Sequence, residues 1–147
     1  MYLFLLEHYH HAPVAAEAAP DARWQKALFT KDFYLHMNWI TLTNEQQLQQ
    51  LKANSNVKPQ VIFKHSTRCS ISSVAKNRLE RSSQPDEIDF YFLDLIKFRA
   101  MSNKIAEDFK VYHESPQILL IKNGKCIYDE SHSGIDMEEI VQQAMVA

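Results

Sequence analysis

A near-continuous apolar run, Ile88–Leu95, reads as a strand of the kind buried on both faces. Alternation would leave one face for water, and this run leaves almost none. Helical patterns flank it on both sides. Before it, Ile71, Val74, Ala75 and Leu79 recur at helical spacing, with Lys76, Arg78 and Glu80 turned outward. After it, Met101, Ile105 and Phe109 fall at i, i+4 and i+8 within a helix expected over about Phe98–Phe109. A buried strand between two amphipathic helices predicts a parallel sheet with right-handed crossovers.

The rest of the chain from Met37 extends that pattern. Asn38–Leu42 alternates like an edge strand, and Thr43-Asn44-Glu45-Gln46 matches a capping box with Thr43 and Gln46 as reciprocal partners. The helix that follows places Leu48 and Leu51 on one side and ends near Asn54–Asn56. Pro59 precedes a strand, Gln60–Lys64, and Ser82–Glu87 reads as a loop. Gln117–Ile121 is a further strand. Asn123-Gly124 supplies the positive φ angles of a tight hairpin turn leading to a returning strand, Cys126–Asp129. Asp136 and Glu139 cap a last helix, Met137–Met145. The order β-α-β-α-β-α-β-β-α predicts an α/β domain, a mixed central sheet with helices on both faces.

Cys69 stands where the strand Gln60–Lys64 has ended and the next helix begins. The first N–H groups of a helix lack intrahelical partners and carry partial positive charge, which favours a thiolate over a thiol. Cys69 therefore reads as a working sulfur. Cys126, in a strand beside a turn, reads as a packing residue.

Composition removes several alternatives. With 16 basic against 18 acidic residues, no electrostatic surface for nucleic acid is expected. Two cysteines are too few for a secreted disulfide framework and suit a reducing, cytoplasmic setting. Only 2 glycines occur, so no glycine-rich phosphate loop can be built. No segment reaches the roughly 18 apolar residues that span a bilayer, so no membrane partner is expected. A Cys–His hydrolase would need an oriented base; His65 and His113 are available, but no signature supports them.

Residues 1–36 differ in character and are expected to be an N-terminal extension, with Met37 an alternative start. His8, His10 and His11 cluster without a ligand partner at metal-binding spacing, so no metal site is expected. Alanine and proline recur through Ala12–Ala22, and Trp24, Leu28, Phe29 and Phe33 fall near helical spacing.

The segments Asn38-Trp39-Ile40, Val61–Cys69 and His113-Glu114-Ser115-Pro116-Gln117 through Lys122-Asn123-Gly124 resemble the YtxJ-type monothiol bacilliredoxins. These are thioredoxin-like proteins of the bacillithiol system, and the likeness covers residues 37–147. It implies a thioredoxin-like domain in which Cys69 exchanges disulfides and Ser115-Pro116 is a cis bond beside the sulfur. The family pattern after the cysteine has proline; here the run is Arg68-Cys69-Ser70-Ile71-Ser72. Ser70 keeps the helix but adds an N–H that proline lacks and that can bond the sulfur.

The resemblance implies one reaction. Cys69 takes bacillithiol from an S-bacillithiolated client protein, and a low-molecular-weight thiol, another redoxin or a reductase resets it. No prosthetic group is implied; bacillithiol is a co-substrate. Ser72 stands where a two-cysteine site has its resolving thiol, and it either bonds the thiolate or simply occupies a polar helix position. Arg68 would attract bacillithiol carboxylates or be a solvated turn residue. Lys64 and His65 would add positive field or, for Lys64, snorkel to solvent. The competing reading is a non-catalytic thioredoxin-like module that holds extended peptide near Pro116.

Overall fold

The computed structural model describes residues 37–146. The histidine cluster and the helix expected within residues 1–36 lie outside them. The described elements are β1 (Trp39–Thr41), α1 (Glu45–Asn54), β2 (Gln60–His65), α2 (Ser70–Arg81), β3 (Asp89–Asp94), α3 (Arg99–Phe109), β4 (Gln117–Lys122), β5 (Lys125–Ser131) and α4 (Met137–Val146). A short 3-10 turn, His132–Gly134, follows β5.

The five strands form one sheet in the order β1-β3-β2-β4-β5. β1, β3 and β2 run parallel, while β4 is antiparallel to both β2 and β5. β1 is an edge strand, as its alternation predicts, and every residue of the central β2 is buried. The apolar run Ile88–Leu95 becomes β3 plus one flanking residue at each end.

Each face of the sheet carries its own core. Val61 and Phe63 of β2 pack with Ala75 and Leu79 of α2 and with Ile140 and Ala144 of α4. Ile62, one residue out of phase, packs with Leu48 and Leu51 of α1 and with Met101 and Ile105 of α3. Successive strand side chains point to opposite faces, so one short strand anchors both helical layers.

Local chemistry shifts two boundaries. The N-cap of α1 is Asn44, not Thr43: Asn44 Oδ1 accepts from Gln47 N–H at 2.9 Å. Gln47 Oε1 in turn accepts from the Thr43 N–H at 2.8 Å, so the reciprocal cap lies one residue further on than expected. β5 extends to Ser131, because pairing with β4 continues to Gln117. Asn123 and Gly124 take positive φ at the hairpin turn, at 52° and 72°. Ser55, buried at the end of α1, clamps that turn: its Oγ accepts from Gly124 N–H and its carbonyl from Asn123 N–H.

The buried face of α2 is also corrected. Ser72, Ala75 and Leu79 are buried, whereas Ile71 and Val74 are 54% and 59% exposed. Hydrophobicity alone would turn Ile71 inward. Ser72 takes the inward place instead because hydrogen bonds there satisfy its hydroxyl.

Candidate active site

β2 ends at His65, and a turn through Ser66–Arg68 delivers the chain to α2. Cys69 is the N-cap of that helix, with extended φ and ψ of −112° and 120°. Its N–H donates to Ser66 O at 3.1 Å, and its carbonyl accepts the Ser73 N–H at 3.2 Å. The side chain makes no capping hydrogen bond, and the residue is half-buried. The backbone is therefore fixed while the sulfur stays uncommitted. Arg68 and Ser70 on either side are exposed. Among the described residues, Arg68 has no ion-pair partner.

Strand register brings the second half of the site alongside. Lys64 pairs with Gln117 across β2 and β4, which sets Pro116 beside the end of β2. The Ser115-Pro116 bond is cis and Pro116 is buried, its carbonyl accepting the His132 N–H at 3.0 Å. Ser115 Oγ is buried and has no hydrogen-bond partner among the described residues. Cys69 at a helix start and a proline loop with an unsatisfied hydroxyl thus follow from the same end of the β2–β4 pair.

Ser72 does not spend its hydroxyl on the sulfur. Ser72 Oγ accepts from Ser66 N–H at 2.9 Å and shares a 2.8 Å hydrogen bond with His65 Nδ1. Burial, followed by the nearby Lys76 charge, pushes the His65 pKa down, so the ring is held neutral. A neutral ring protonated at Nε2 accepts the Ser72 proton at Nδ1, and all three groups are then satisfied. His65 also lies 5.3 Å from Phe92 and 5.8 Å from Phe63, ring centre to ring centre. Its role here is to tie the Cys69 turn to the core rather than to supply positive charge.

That depressed pKa has a stability consequence. The unfolded chain binds a proton at His65 near its ordinary value of about 6.5 before the folded protein does. The contribution is fully present above that pH and is lost as pH falls toward the folded value. His113, also lowered by burial and then by Lys64, adds in the same sense. We expect the thermal midpoint to fall on acidification below about pH 6.5, and His65→Gln to flatten that slope. A wild-type slope retained in the variant would exclude His65 as its source.

Lys64 departs furthest from expectation. It neither snorkels nor reaches solvent: it is 0% exposed. Its Nζ bonds Gln117 Oε1 at 2.8 Å and His113 Nδ1 at 3.0 Å. The signal for this burial was its place inside a strand that pairs on both sides. Cys126 matches the packing role read for it. It is partly buried against the α1–α3 core, and burial raises its pKa to about 11.

Cys126 is also remote from Cys69. It pairs with Ile121, which pairs with Gln60 at the opposite end of β2 from His65. At ~3.3 Å per residue, the five steps from Gln60 to His65 separate the two ends by roughly 16 Å. A disulfide needs Cα atoms within about 7 Å, so these two thiols cannot meet. Among the described residues, no group of three or more His, Cys, Asp or Glu side chains is placed to hold a metal, and no helix is long and apolar enough to cross a membrane.

Comparison with known proteins agrees with this arrangement. A family model described as monothiol bacilliredoxin BrxC matches residues 40–140. A solved structure described as a proposed oxidoreductase with a thioredoxin fold is 28% identical, covering 76% of this chain and 98% of that one at a TM-score of 0.66. Thioredoxin from Malassezia sympodialis is 18% identical over 74% of this chain and 93% of its own, at a TM-score of 0.61. Thioredoxin from Trypanosoma brucei brucei is 12% identical over 78% and 92%, at 0.58. The last two likenesses establish the thioredoxin fold.

Proposed function

This chain belongs to the monothiol bacilliredoxin family, and we propose that within it Cys69 removes bacillithiol from S-bacillithiolated proteins. The Cys69 thiolate attacks the bacillithiol sulfur of the client disulfide. A new S–S bond joins Cys69 to bacillithiol as the old one breaks, and the client cysteine leaves as a thiolate that takes a proton from water. Free bacillithiol, another redoxin or a reductase then attacks the bacillithiol sulfur and returns Cys69 as thiolate. Bacillithiol is a co-substrate in this cycle, not a resident group.

The isolation of the sulfur carries this reading. Cys126 lies on β5, at the opposite end of the sheet from the Cys69 turn, and Ser72 fills the position from which a second thiol would resolve the intermediate. The Cys69 adduct must therefore wait for a thiol from solution, which suits a small-thiol cargo. Arg68, exposed and without an ion-pair partner among the described residues, is suited to the carboxylates of the bacillithiol malate group. Ser70 presents the backbone N–H that a proline would remove from the helix start. Ser115 Oγ and buried Pro116 form the opposing wall.

Intact-protein mass spectrometry after exposure to oxidised bacillithiol tests the reading. We expect one bacillithiol adduct on wild type and on Cys126→Ser, and none on Cys69→Ser. An unmodified wild type, or an adduct confined to Cys126, would overturn the exchange mechanism and leave a peptide-binding module.

A further inference from the structure

Among the described residues, no carboxylate forms an ion pair with the buried Lys64 amine. Its Nζ bonds the segment that carries Ser115-Pro116, at Gln117 Oε1 and His113 Nδ1. Gln117 spreads the connection further. Its Oε1 also accepts from Glu114 N–H, and its Nε2 donates to Tyr112 O at 2.9 Å and Asp129 Oδ2 at 3.2 Å. The backbone on both sides of Ser115-Pro116 is thus held from one point in the central strand.

Burying a charged amine costs stability, and neutral acceptors do not repay it as an ion pair with good geometry would. Burial draws the Lys64 pKa down to about 8, only partly offset by Asp129 and Glu114. By the same linkage, this group weakens the fold as pH drops from about 10.5 toward 8 and leaves it weaker at neutral pH. A costly residue at this place points to a role in the site rather than in the core.

We propose that Lys64 is a positioning residue of the exchange reaction, a buried cationic peg that fixes the Tyr112–Gln117 segment and thereby the Ser115–Pro116 wall against which the disulfide substrate lies. This rests on the exchange reading of Cys69. The peg has a protonation requirement at both ends. An ammonium at Lys64 donates to His113, so His113 Nδ1 must be bare and the ring neutral. Protonating His113 would set two N–H donors face to face at 3.0 Å. The ring would then turn its Nδ1–H to Ser102 Oγ, already 3.3 Å away on α3, and let go of Lys64.

Removing the Lys64 proton weakens the hold from the other side. The attraction to Asp129 on β5 and Glu114 in the loop is lost, and one donor disappears. Arg99 on α3 also acts on His113 and further disfavours its protonation. On β3, the residue paired with Lys64 is the apolar Leu93. The wall is therefore held best between the two titrations.

Steady-state exchange with a mixed disulfide of a cysteine peptide and a small thiol, read as KM against kcat from pH 6 to pH 9.5, tests this. Lys64→Met, close in volume, is expected to raise KM by about tenfold with kcat within about twofold, as both hydrogen bonds of the amine to the segment are lost. Wild-type KM should rise above about pH 8 and stay flat in the variant. Alkylation of Cys69 by iodoacetamide should match wild type, since the sulfur's own backbone is untouched. His113→Phe, on an exposed loop residue, removes the acceptor without entering the core and should raise KM in the same direction. The His113 Nδ1 resonance should shift in Lys64→Met, since the nitrogen loses the ammonium donor and keeps only the Ser102 hydroxyl beside it.

An unchanged KM in either variant, or alkylation falling in step with exchange, overturns the proposal. Absence of exchange in wild type would instead strike the reading of Cys69 itself, so the two failures are distinguishable.

Discussion

Ser72→Cys is expected to change the end-point of the reaction, from an accumulated mixed disulfide to an internal one. The wild-type adduct is expected to persist because no second thiol is in reach: Ser72 stands three residues on from Cys69, and Cys126 lies at the far end of the sheet. A thiol at position 72 restores the Cys-X-X-Cys spacing at which a helix-start disulfide closes. It would attack the Cys69 sulfur, release the small thiol and leave Cys69 joined to the introduced thiol by an internal disulfide. Mass spectrometry should then show a protein lighter by two hydrogens with no adduct, where wild type gains one small thiol. The variant gives up the hydroxyl that serves both Ser66 N–H and His65 Nδ1, at about 1–3 kcal/mol. It should still fold and melt lower. A persistent adduct on the folded variant would mean that position 72 does not reach the sulfur.

Phe63→Ala carries the largest stability loss we expect, about 3–5 kcal/mol. Phe63 is wholly buried in the central strand, with its ring 5.5 Å from Trp39 and 6.4 Å from Phe92. It packs in the same core as α2 and α4, so the void cannot be filled by one element moving. Against a total of roughly 5–15 kcal/mol for a domain, the loss brings the variant close to unfolding at 37 °C. Urea unfolding should show the midpoint shift with an unchanged slope. Phe63→Leu, which refills part of the space, should lose roughly half as much. A Phe63→Ala loss under about 1 kcal/mol would mean that the three rings are not close-packed.

Periodicity was enough for the α/β class because helices must bury an apolar stripe and central strands both faces. Ile88–Leu95 fits a doubly covered strand, and Asn123-Gly124 a hairpin turn. Local ambiguity marks where that reasoning slipped. Thr43 and Asn44 are both good caps, and only the geometry of Gln47 chooses between them. On α2, Ile71 and Ser72 compete for the inward face. Apolar bookkeeping favours Ile71, and the hydrogen bonds to His65 and Ser66, made by residues on another element, decide for Ser72.

An α/β domain with one cysteine at a strand-to-helix turn and a Ser-Pro pair before a hairpin strand is legible in the residues alone. Those are properties of near neighbours along the chain: spacing, turn chemistry and the orphan N–H groups of a helix start. What surrounds the sulfur follows from contacts between distant parts of the chain. The pairing of Lys64 with Gln117 lies 53 residues apart in the chain. It buries a lysine that the local pattern would have sent to solvent, and it puts Pro116 beside the turn that carries Cys69. A lysine in a strand reads the same whether its amine ends in water or on a histidine, because the partner that settles the matter is supplied by strand register.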